Sequence, residues 1–540
     1  MQRTTIAFCA LLLPLLSLAQ GTFQQNYDWM NQGTAYNNAL SSVRKTSDGY
    51  LLGGGSQGEA FGAGLMHTDE NGLPIWNKTY DINGDGFGAG DITNILPLPG
   101  GGCIVAGTGP ELFYARVDAD GEMLWAKRIP GNYNFATGLM LLSDGNILFS
   151  GKRQGNAYDA FLIKADLDGT VIWSQFYGTE TENSEFFTSI VETPDHGFLC
   201  WGYRNHQTQY MDLLLAKLDA NGTVEWSKLY GSSTIFTNLY SDDIRATADG
   251  NYVLTGSSFV ALTVLNPTNT IEPLVLKVDP TGELLWSNKL DSVLSATGLG
   301  VTNFHVHNAI LPDGSMRVLL SSVNVPSTGM QLIHADAMGL PLSANNLRNT
   351  QYSEYAKDME LLPDGSVAVT GYNHTGTAVA SSFLMRTDPS GHTACNDSAS
   401  TTNGHAFELP SGAGGVVASA CTFSYTDITP AVTLNTVDAH NTCSGVGIHT
   451  AGILSLPTLS LQPNPANDVV RVSMEGLPAG AVSSVMVFNA TGALVRTLTM
   501  EGSSTGLLNV QDLTPGIYMV RWNCTDGRSA QRKLTVVGAR

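Results

Sequence analysis

Charged residues are scarce in this sequence, and basic residues are the scarcer kind. Only 14% of the 540 residues are charged, and 27 Lys and Arg stand against 47 Asp and Glu, which gives a net charge of −20. A strongly acidic chain is repelled by phosphate backbones and by anionic membrane surfaces. We therefore expect neither nucleic acid nor an anionic membrane surface among its partners.

The sequence also lacks motifs that mark several common enzyme classes. It has no His-Glu-x-x-His, no phosphate-binding loop, and no Rossmann fingerprint followed by a helical pattern. No two cysteines are adjacent, which argues against a quinone-dependent dehydrogenase. These absences leave no catalytic residue and no confident cofactor to name.

Long apolar runs are missing except at the N-terminus. Arg3 precedes a mostly apolar stretch at 6–18, and Ser17-Leu18-Ala19 places small residues where a signal peptidase reads them. The stretch is too short to span a bilayer, and no later segment is long and apolar enough. We expect residues 1–19 to be a signal peptide. We also expect the mature chain to be exported and to contain no transmembrane segment.

Cysteine is also sparse, with six residues left after the signal peptide is removed. Cys103 and Cys200 lie in apolar strand patterns and are expected to be buried thiols. Cys395, Cys421 and Cys443 lie within one stretch where a pair can form a disulfide in an exported protein. The sequence does not determine which pair this is.

Glycine is abundant, with 58 residues, and many of these glycines belong to an internal repeat. The clearest element reads Asp-x-x-Gly-x-x-x-Trp and occurs at 69–76, 118–125, 166–173, 219–226 and 279–286, with weaker copies at 336–343 and 388–395. A second element, a glycine turn followed by an apolar strand, alternates with it about every 50 residues. Asp-Gly turns and short apolar runs predict about four antiparallel strands per unit.

A single sheet of this kind cannot bury both of its faces, whereas a ring of such sheets can. We therefore predict an all-β fold in which residues 20–395 form a β-propeller of seven blades, with six or eight as alternatives. We expect the recurrent tryptophans to pack between adjacent blades rather than to contact a ligand: Trp76, Trp125, Trp173, Trp226 and Trp286. Phe23 occupies the tryptophan place in an N-terminal strand that can complete the last blade.

The repeat resembles two known families. Asp279-Pro-Thr-Gly282 to Trp286 is similar to the quinoprotein-type propeller repeat, although it is one residue shorter. The spacing also approaches the Asp-box of sialidases. Because the match covers only turn and packing residues, the resemblance implies an architecture and not an activity.

Residues 396–455 differ in composition from the repeats. Ser, Thr, Ala, Gly and Asn are clustered there, and no repeated unit is evident. We expect an irregular linker with a possible small β insert.

From about residue 456 a separate set of strand and turn motifs begins, and we expect a small Ig-like β-sandwich over 456–540. The motif residues are Pro463, Asn464 and Pro465, then Gly492, then Gly516 and Tyr518, and finally Lys533. This tail resembles the type A sorting domain of the Bacteroidetes type IX secretion system. The resemblance implies two partners, the outer-membrane translocon and a sortase-like protease, and a final location in the medium or on the cell surface.

One loop resembles a calcium site. Asp81, Asn83 and Asp85 alternate before Gly86, and Asp91 follows, which is a spacing that brings several oxygens to one cation. A polar turn between strands explains the same residues, so calcium is a possible cofactor only. His305 and His307 share one face of a strand, and a metal pair with His334 is a further alternative.

The sequence leaves the molecular function open. Our leading hypothesis is an exported binding or adhesion module for a glycan or a protein. The alternatives are an exported hydrolase or lyase with its site at the propeller's central face, and a structural surface protein. A group of converging acids, histidines and arginines at the ring axis would favour the enzyme, and a shallow aromatic face would favour binding.

Overall fold

A computed structural model of the chain is built from strands alone, which confirms the predicted all-β class. No helix occurs among the residues that it describes. These are residues 21–31, 34–35, 37–57, 62–82, 90–109, 111–129, 133–154, 158–179, 184–205, 211–231, 237–260, 270–290, 304–322, 329–347, 353–374, 380–393, 397–400, 402, 404–406, 409, 411–413, 415, 417–420, 426–428, 431–434, 436–441, 458–475, 482–489, 494–501, 505–524 and 529–537.

The repeats form successive antiparallel sheets, each with strands in chain order. The chain starts with β1 (Phe23–Asn31) and β2 (Thr34–Ala35). Sheet one contains β3 (Asn37–Lys45), β4 (Gly49–Gln57), β5 (Gly62–Asp69) and β6 (Pro74–Asp81), and sheet two contains β7 (Asp91–Pro97), β8 (Cys103–Thr108), β9 (Leu112–Val117) and β10 (Met123–Ile129). Sheet three contains β11 (Tyr133–Leu141), β12 (Ile147–Gln154), β13 (Tyr158–Ala165) and β14 (Val171–Gly178). Sheet four contains β15 (Ser184–Glu192), β16 (Phe198–Asn205), β17 (Met211–Leu218) and β18 (Val224–Tyr230).

Three further sheets follow. Sheet five contains β19 (Thr237–Ala246), β20 (Tyr252–Val260), β21 (Thr270–Val278) and β22 (Leu284–Leu290). Sheet six contains β23 (Phe304–Ile310), β24 (Met316–Ser322), β25 (Gly329–Ala335) and β26 (Pro341–Leu347). Sheet seven contains β27 (Ser353–Leu361), β28 (Val367–His374) and β29 (Ala380–Arg386). Sheets four and five are also joined by one parallel pair, Met211 with Asn238.

The N-terminal strand supplies the fourth strand of sheet seven, as the sequence predicts. β1 pairs antiparallel with β29, with Phe23 opposite Arg386 and Tyr27 opposite Ser382. The ring of Phe23 lies against Gly72 in the turn of sheet one. Phe23 therefore occupies the place that tryptophan holds in sheets one to five.

The repeated Asp and Gly have a clear role in the turn between the third and fourth strands. In sheet one, Oδ1 of Asp69 accepts the backbone N–H groups of Asn71 and Leu73, both at 2.8 Å. Gly72 has a φ of 77°, a left-handed conformation that glycine adopts without steric cost. Equivalent aspartates repeat this pattern in the following sheets, so the motif encodes a hairpin.

Each predicted packing tryptophan contacts the turn glycine of the next sheet. A Cβ on Gly121 would lie 3.0 Å from the ring of Trp76, and Trp125, Trp173, Trp226 and Trp286 approach Gly169, Gly222, Gly282 and Gly339 in the same way. Tyrosines reinforce these contacts, since the hydroxyl of Tyr80 donates to the carbonyl of Gly121 at 2.8 Å. The turn glycines thus serve both the hairpin and the contact between sheets.

The apolar core lies between consecutive sheets. One cluster joins sheets one and two through residues such as Leu65, Tyr80 and Phe113, and comparable clusters follow along the series. A further cluster joins sheet seven back to sheet one and contains Tyr27, Leu384 and Leu52. Sheets one and seven are therefore neighbours through a buried core.

The stretch after the repeats is more ordered than the linker that we expected. Its short strands add to the fourth-strand edges of the sheets in reverse order, from sheet six back to sheet one and then to β1. We call these strands the strap: β30 (Asp397–Ser400), β31 (Gly404–Ala406), β32 (Ser411–Ala413), β33 (Val417–Ala420), β34 (Thr426–Ile428), β35 (Ala431–Leu434) and β36 (Thr436–Asn441).

The strap does not form a sheet of its own, so it differs from the separate small β insert that we considered. β30 pairs with β26, β33 with β14, β35 with β6, and β36 with β1. Backbone pairing explains why its composition carries no repeat, since hydrogen bonds of the main chain need no particular side chain. Leu409 is 7% exposed and joins the core between sheets four and five.

The two ends of each sheet differ. Tight turns join the first strand to the second and the third to the fourth, so they lie together at what we call the tight-turn end. The connections from the second strand to the third, and from the fourth strand to the next sheet, leave from the opposite end, which we call the loop end. The antiparallel order of the strands requires this separation.

The C-terminal region forms two antiparallel sheets around one core. The first sheet contains β37 (Thr458–Gln462), β38 (Val469–Glu475) and β41 (Thr505–Asn509), and the second contains β39 (Val482–Phe488), β40 (Leu494–Glu501), β42 (Gly516–Cys524) and β43 (Ser529–Val536). Val472 and Leu508 of the first sheet share that core with Val487 and Trp522 of the second.

Candidate functional site

The first strands of the seven repeat sheets lie side by side. Each contacts the first strand of the following sheet, and β27 of sheet seven contacts β3 of sheet one. Six of these strands, within the described residues, carry a β-bulge near the middle, and only β23 pairs without one. A bulge turns a side chain out of the regular alternation and often marks a functional position.

The residues at these bulges are polar and, in two sheets, charged. Ser41, Thr93, Thr137 and Thr188 occupy the position in sheets one to four, whereas sheet five has Asp242 with Asp243 and sheet seven has Lys357. Hydroxyls at this position link neighbouring sheets, since Oγ of Ser41 donates to Asp91 at 2.9 Å. The charged exceptions lie on either side of His305 and His307 in sheet six.

Asp242 and His305 form a hydrogen-bonded pair between sheets five and six. Nδ1 of His305 lies 3.3 Å from Oδ1 of Asp242, whose side chain is 10% exposed. Oδ2 of Asp242 is buried, and a backbone hydrogen bond from Val306 favours the ionised carboxyl group against the effect of burial. The side chain of His305 is 38% exposed, so the imidazole extends from the buried carboxyl towards solvent.

Burial sets the protonation of this pair. Burial raises the pKa of Asp242 to about 8, and the nearby Asp243 carboxylate adds to that rise while His307 opposes it. Partial burial also lowers the pKa of His305, and the charge of Lys357 lowers it further. At neutral pH the pair therefore consists of a protonated carboxyl group and a neutral imidazole.

Arg44 and Asp358 form an ion pair between sheets one and seven. The guanidinium lies 2.5 Å from Oδ2 of Asp358, which also accepts the backbone N–H of Val43 at 3.0 Å. Although burial disfavours the charged form, the pKa of Asp358 lies below its ordinary value because Arg44 and the backbone donor stabilise the carboxylate. This pair joins the two sheets and retains its charges.

Lys357 directly precedes Asp358 in the chain, and its charge acts on His305 of sheet six. Its ammonium is 5.1 Å from the ring centre of Tyr355, and burial lowers its pKa. Its charge reaches Asp91 of sheet two, where burial raises the pKa of that carboxyl to about 6 against the opposing effect of Lys357. A residue of sheet seven therefore acts electrostatically on sheets two and six.

Aromatic side chains cover the loop end of the same region. Phe186 and Tyr203 have ring centres 4.7 Å apart, and Tyr203 lies 5.9 Å from Tyr240 of the next sheet. In sheet seven, Tyr355 lies 5.2 Å from Tyr372. Tyr355 also lies 5.8 Å from His305, which joins the aromatic group to the charged residues.

The predicted calcium loop is only partly described. Asn83 and Asp85 lie outside the described residues, whereas Asp81 ends β6 and Asp91 begins β7. In the part of the chain that the structure describes, no group of three or more His, Cys, Asp or Glu is placed to hold a metal. Calcium binding by this loop stays a prediction.

The predicted histidine group does not assemble. His305 and His307 stack with ring centres 6.0 Å apart, but Nε2 of His334 lies 3.1 Å from Oγ of Ser315 on another part of sheet six. Tyr203 lies in the aromatic group, whereas residues 206–210 lie outside the described residues.

Sequence reasoning did not identify Asp242, Lys357 or Asp358. A signal for them was present, because aligning the repeats by their turns places Ser or Thr at the bulge in sheets one to four. A charged residue at a position that is otherwise a small hydroxyl departs from the structural pattern. Such departures are expected at functional sites.

The sorting-motif residues that the structure describes lie on the second C-terminal sheet or in the bend between β37 and β38. Asn464 is held against the last strand, since its Nδ2 donates to the carbonyl of Lys533 at 2.7 Å and its Oδ1 accepts the N–H of Thr535 at 2.9 Å. Pro463 and Pro465 flank it and are exposed. Gly516 begins β42, and the hydroxyl of the buried Tyr518 donates to the carbonyl of Thr514 at 2.7 Å. Gly492 lies outside the described residues.

Residues 460–537 match the family described as Secretion system C-terminal sorting domain. The chain is therefore a cargo of the type IX secretion system, and it interacts with that machinery through its tail. Its location is the extracellular medium or the cell surface. Within the described residues, no helix has the length and apolar character needed to cross a membrane.

Solved structures with similar parts are distant. A protein of unknown function from Bacteroides caccae is 16% identical, with a TM-score of 0.31, over 55% of this chain and 93% of that one. A second such protein, from Dyadobacter fermentans, is 12% identical with a TM-score of 0.36, over 68% and 99%. The N-terminal domain of Nup159 is 8% identical with a TM-score of 0.34, over 68% and 97%. No curated protein matches the chain.

Proposed function

We propose that the protein is an exported seven-bladed β-propeller that binds a glycan at the loop end of its central axis. The observation that carries the proposal is the aromatic group beside His305, Lys357 and Asp242. The half-buried rings of Tyr203, Tyr240 and Tyr372 offer apolar faces for the faces of sugar rings, and the buried Phe186 and Tyr355 support them. A few polar groups next to them can fix the orientation of a bound ligand.

The ring itself is part of the proposal. It is supported by the contact between β27 and β3 and by the buried core that joins sheets seven and one. Completion of sheet seven by β1 fits the same arrangement, because a ring leaves no sheet without two neighbours. In this arrangement the first strands surround the axis and the strap runs around the outside.

We propose the following divisions for the rest of the chain. We place the signal peptide at 1–19 and the blades at 20–395, with the strap completing them. The chain between 442 and 457 connects the strap to the sorting domain, for which an Ig-like sandwich is supported by two sheets around one core. A sortase-like protease would cleave in that connection and leave the strap on the mature protein.

A glycan array with the chain from residue 20 onwards tests the binding proposal. We expect a defined subset of glycans to be retained, and we expect Tyr240→Ala and Tyr372→Ala, both at half-buried side chains, to weaken that retention. Ile172→Ala is a matched control, because Ile172 is an apolar residue at the opposite end of a sheet and is 52% exposed. Equal retention by all three variants would remove the aromatic group from the binding site, and capture of a protein alone would replace the glycan.

A second candidate function is favoured by the Asp242–His305 pair. A carboxyl group that stays protonated at neutral pH can donate a proton to a leaving group, as a general acid does. Perturbed acids and histidines in a common region are typical of active sites. The second candidate is therefore a hydrolase or lyase that acts on the bound glycan.

Product analysis separates this candidate from binding alone. New reducing ends would indicate hydrolysis, and new ultraviolet absorbance from an unsaturated sugar would indicate a lyase. We expect Asp242→Asn to abolish either signal while glycan retention on the array persists. Absence of both signals with every retained glycan would leave binding as the function.

A further inference from the structure

The strap determines from which end of the repeats the tail leaves. β36 runs antiparallel to β1, with Thr436 opposite Met30 and Asn441 opposite Gln25. The strap therefore ends beside the beginning of β1. The beginning of β1 lies at the tight-turn end, because the ring of Phe23 packs on Gly72 of a third-to-fourth-strand turn.

An independent contact places the sorting domain at the same end. The guanidinium of Arg521, on β42, donates to the carbonyl of Pro341 at 2.7 Å. Pro341 is the first residue of β26 and directly follows a tight turn. Burial lowers the pKa of Arg521, and the nearby Asp336 of that turn opposes the decrease, which agrees with a close approach.

The candidate site lies towards the other end. His305 and Tyr355 are near the beginning of their first strands, and Asp91 is the first residue of β7. First strands begin at the loop end and finish at the tight turns. Tyr203 and Tyr372 are near the finish of second strands, which also reach the loop end.

We infer that the tight-turn end is the cell-facing end of this protein and that its loop end faces outwards to a polymeric extracellular glycan. This inference rests on the proposed function for the nature of the ligand, but its geometry rests on the strap and on Arg521. A site that faces away from the point of attachment is open to a chain too long to pass beneath the protein. Loops on a rigid scaffold commonly carry such sites.

Surface labelling of intact producing cells tests the orientation. Asn205→Cys introduces a thiol at the loop end of β16, and Asp120→Cys introduces one at an exposed position of a tight turn. Each is treated with a small maleimide and with a maleimide on a large polymer, and the unmodified protein gives the background of its native cysteines. The purified proteins give the reactivity of each thiol in the absence of a cell.

We expect the large reagent to modify Asn205→Cys on cells as readily as in solution, and to modify Asp120→Cys several-fold more slowly on cells than in solution. Equal ratios for the two sites, or the reverse order, would overturn the orientation. Release of the whole pool into the medium would also overturn it, because a free protein has no outward face. Labelling does not depend on the ligand, so a negative glycan array with the expected labelling would reject the binding proposal alone.

Discussion

The two edges of each repeat sheet are completed by different means. At the first-strand edge, side chains join neighbouring sheets, as in the ion pair of Arg44 with Asp358 and the hydrogen bond of Ser41 with Asp91. At the fourth-strand edge, the strap adds a short strand through its backbone. The charged and polar side chains of the candidate site therefore lie at the first-strand edge, whereas the strap is held mainly by backbone hydrogen bonds. Each of the following predictions alters one edge and leaves the other intact.

Removal of the strap should have the largest effect. We expect a chain that ends at residue 396 to lose at least about 5 kcal/mol of unfolding free energy relative to one that ends at 441, at about 1 kcal/mol for each backbone hydrogen bond. The exposed strand edges should also cause aggregation. Thermal unfolding and light scattering measure both effects, and equal unfolding midpoints for the two chains would contradict a structural role of the strap.

Loss of the ion pair at the first-strand edge should rank second. In Asp358→Ala the N–H of Val43 loses its partner, whereas the guanidinium of Arg44 keeps Glu360 at 3.7 Å and the carbonyl of Val43. We expect a decrease of about 2 kcal/mol in the free energy of unfolding, because charge-assisted hydrogen bonds to Asp358 are lost. Urea denaturation measures it. Asp120→Ala, at an exposed turn, is the control and should change little.

The third-largest effect should be a pH dependence of stability that comes from Asp242 at the first-strand edge. The pKa of Asp242 is raised from 3.8 to about 8 in the folded protein, so its contribution is complete at low pH and is lost as the pH rises through 8. His305, whose pKa is lowered from 6.5, has the opposite sign below pH 6.5. Between about pH 6.5 and 8, therefore, Asp242 contributes to the pH dependence of stability and His305 does not.

In that window we expect the free energy of unfolding to fall by up to about 1.4 kcal/mol per pH unit, and Asp242→Asn to remove that slope. Denaturation curves at three pH values are sufficient for the comparison. A slope that persists in Asp242→Asn would assign the proton to another group, and Asp91→Asn is the next variant to examine because its pKa of about 6 lies just below the window.

The smallest effect should come from a side chain at the fourth-strand edge. Tyr177 pairs with Ala418 of the strap, and its hydroxyl donates to the carbonyl of Gly222 at 2.8 Å. Tyr177→Phe keeps the ring and removes one hydrogen bond, for which we expect about 1 kcal/mol. Tyr252→Phe is the control, because it makes the same change in a second strand, away from the fourth-strand edge. A loss as large as that of Asp358→Ala would show that side chains dominate both edges.

The sequence predicts the turns of the repeat well and the strap poorly, for a physical reason. Asp69 and Gly72 are specific to a hairpin, and Trp76 is specific to the contact with the next turn, so the repeat can be recognised from these residues. Gly404 to Ala406 and Ser411 to Ala413 are short and small, and they acquire strand structure only by pairing with a distant partner.

The candidate site lies between these two cases. The face shared by His305 and His307 can be read from strand alternation, and Tyr203 from its aromatic character. The approach of Asp242 to His305 depends on a bulge in sheet five and on the contact between two sheets, neither of which is local. Residues that meet through such long-range contacts cannot be grouped from their spacing in the sequence.

The position of β1 has a consequence for the time course of folding. One neighbour of this strand comes from residues 382–386, and the other comes from residues 436–441. At about 5–20 residues per second, synthesis of the intervening chain lasts on the order of tens of seconds. During that interval β1 waits without either partner, as an open edge that can pair with other strands. We therefore expect the export route of this cargo to keep β1 apart from other chains until the last repeat and the strap have arrived.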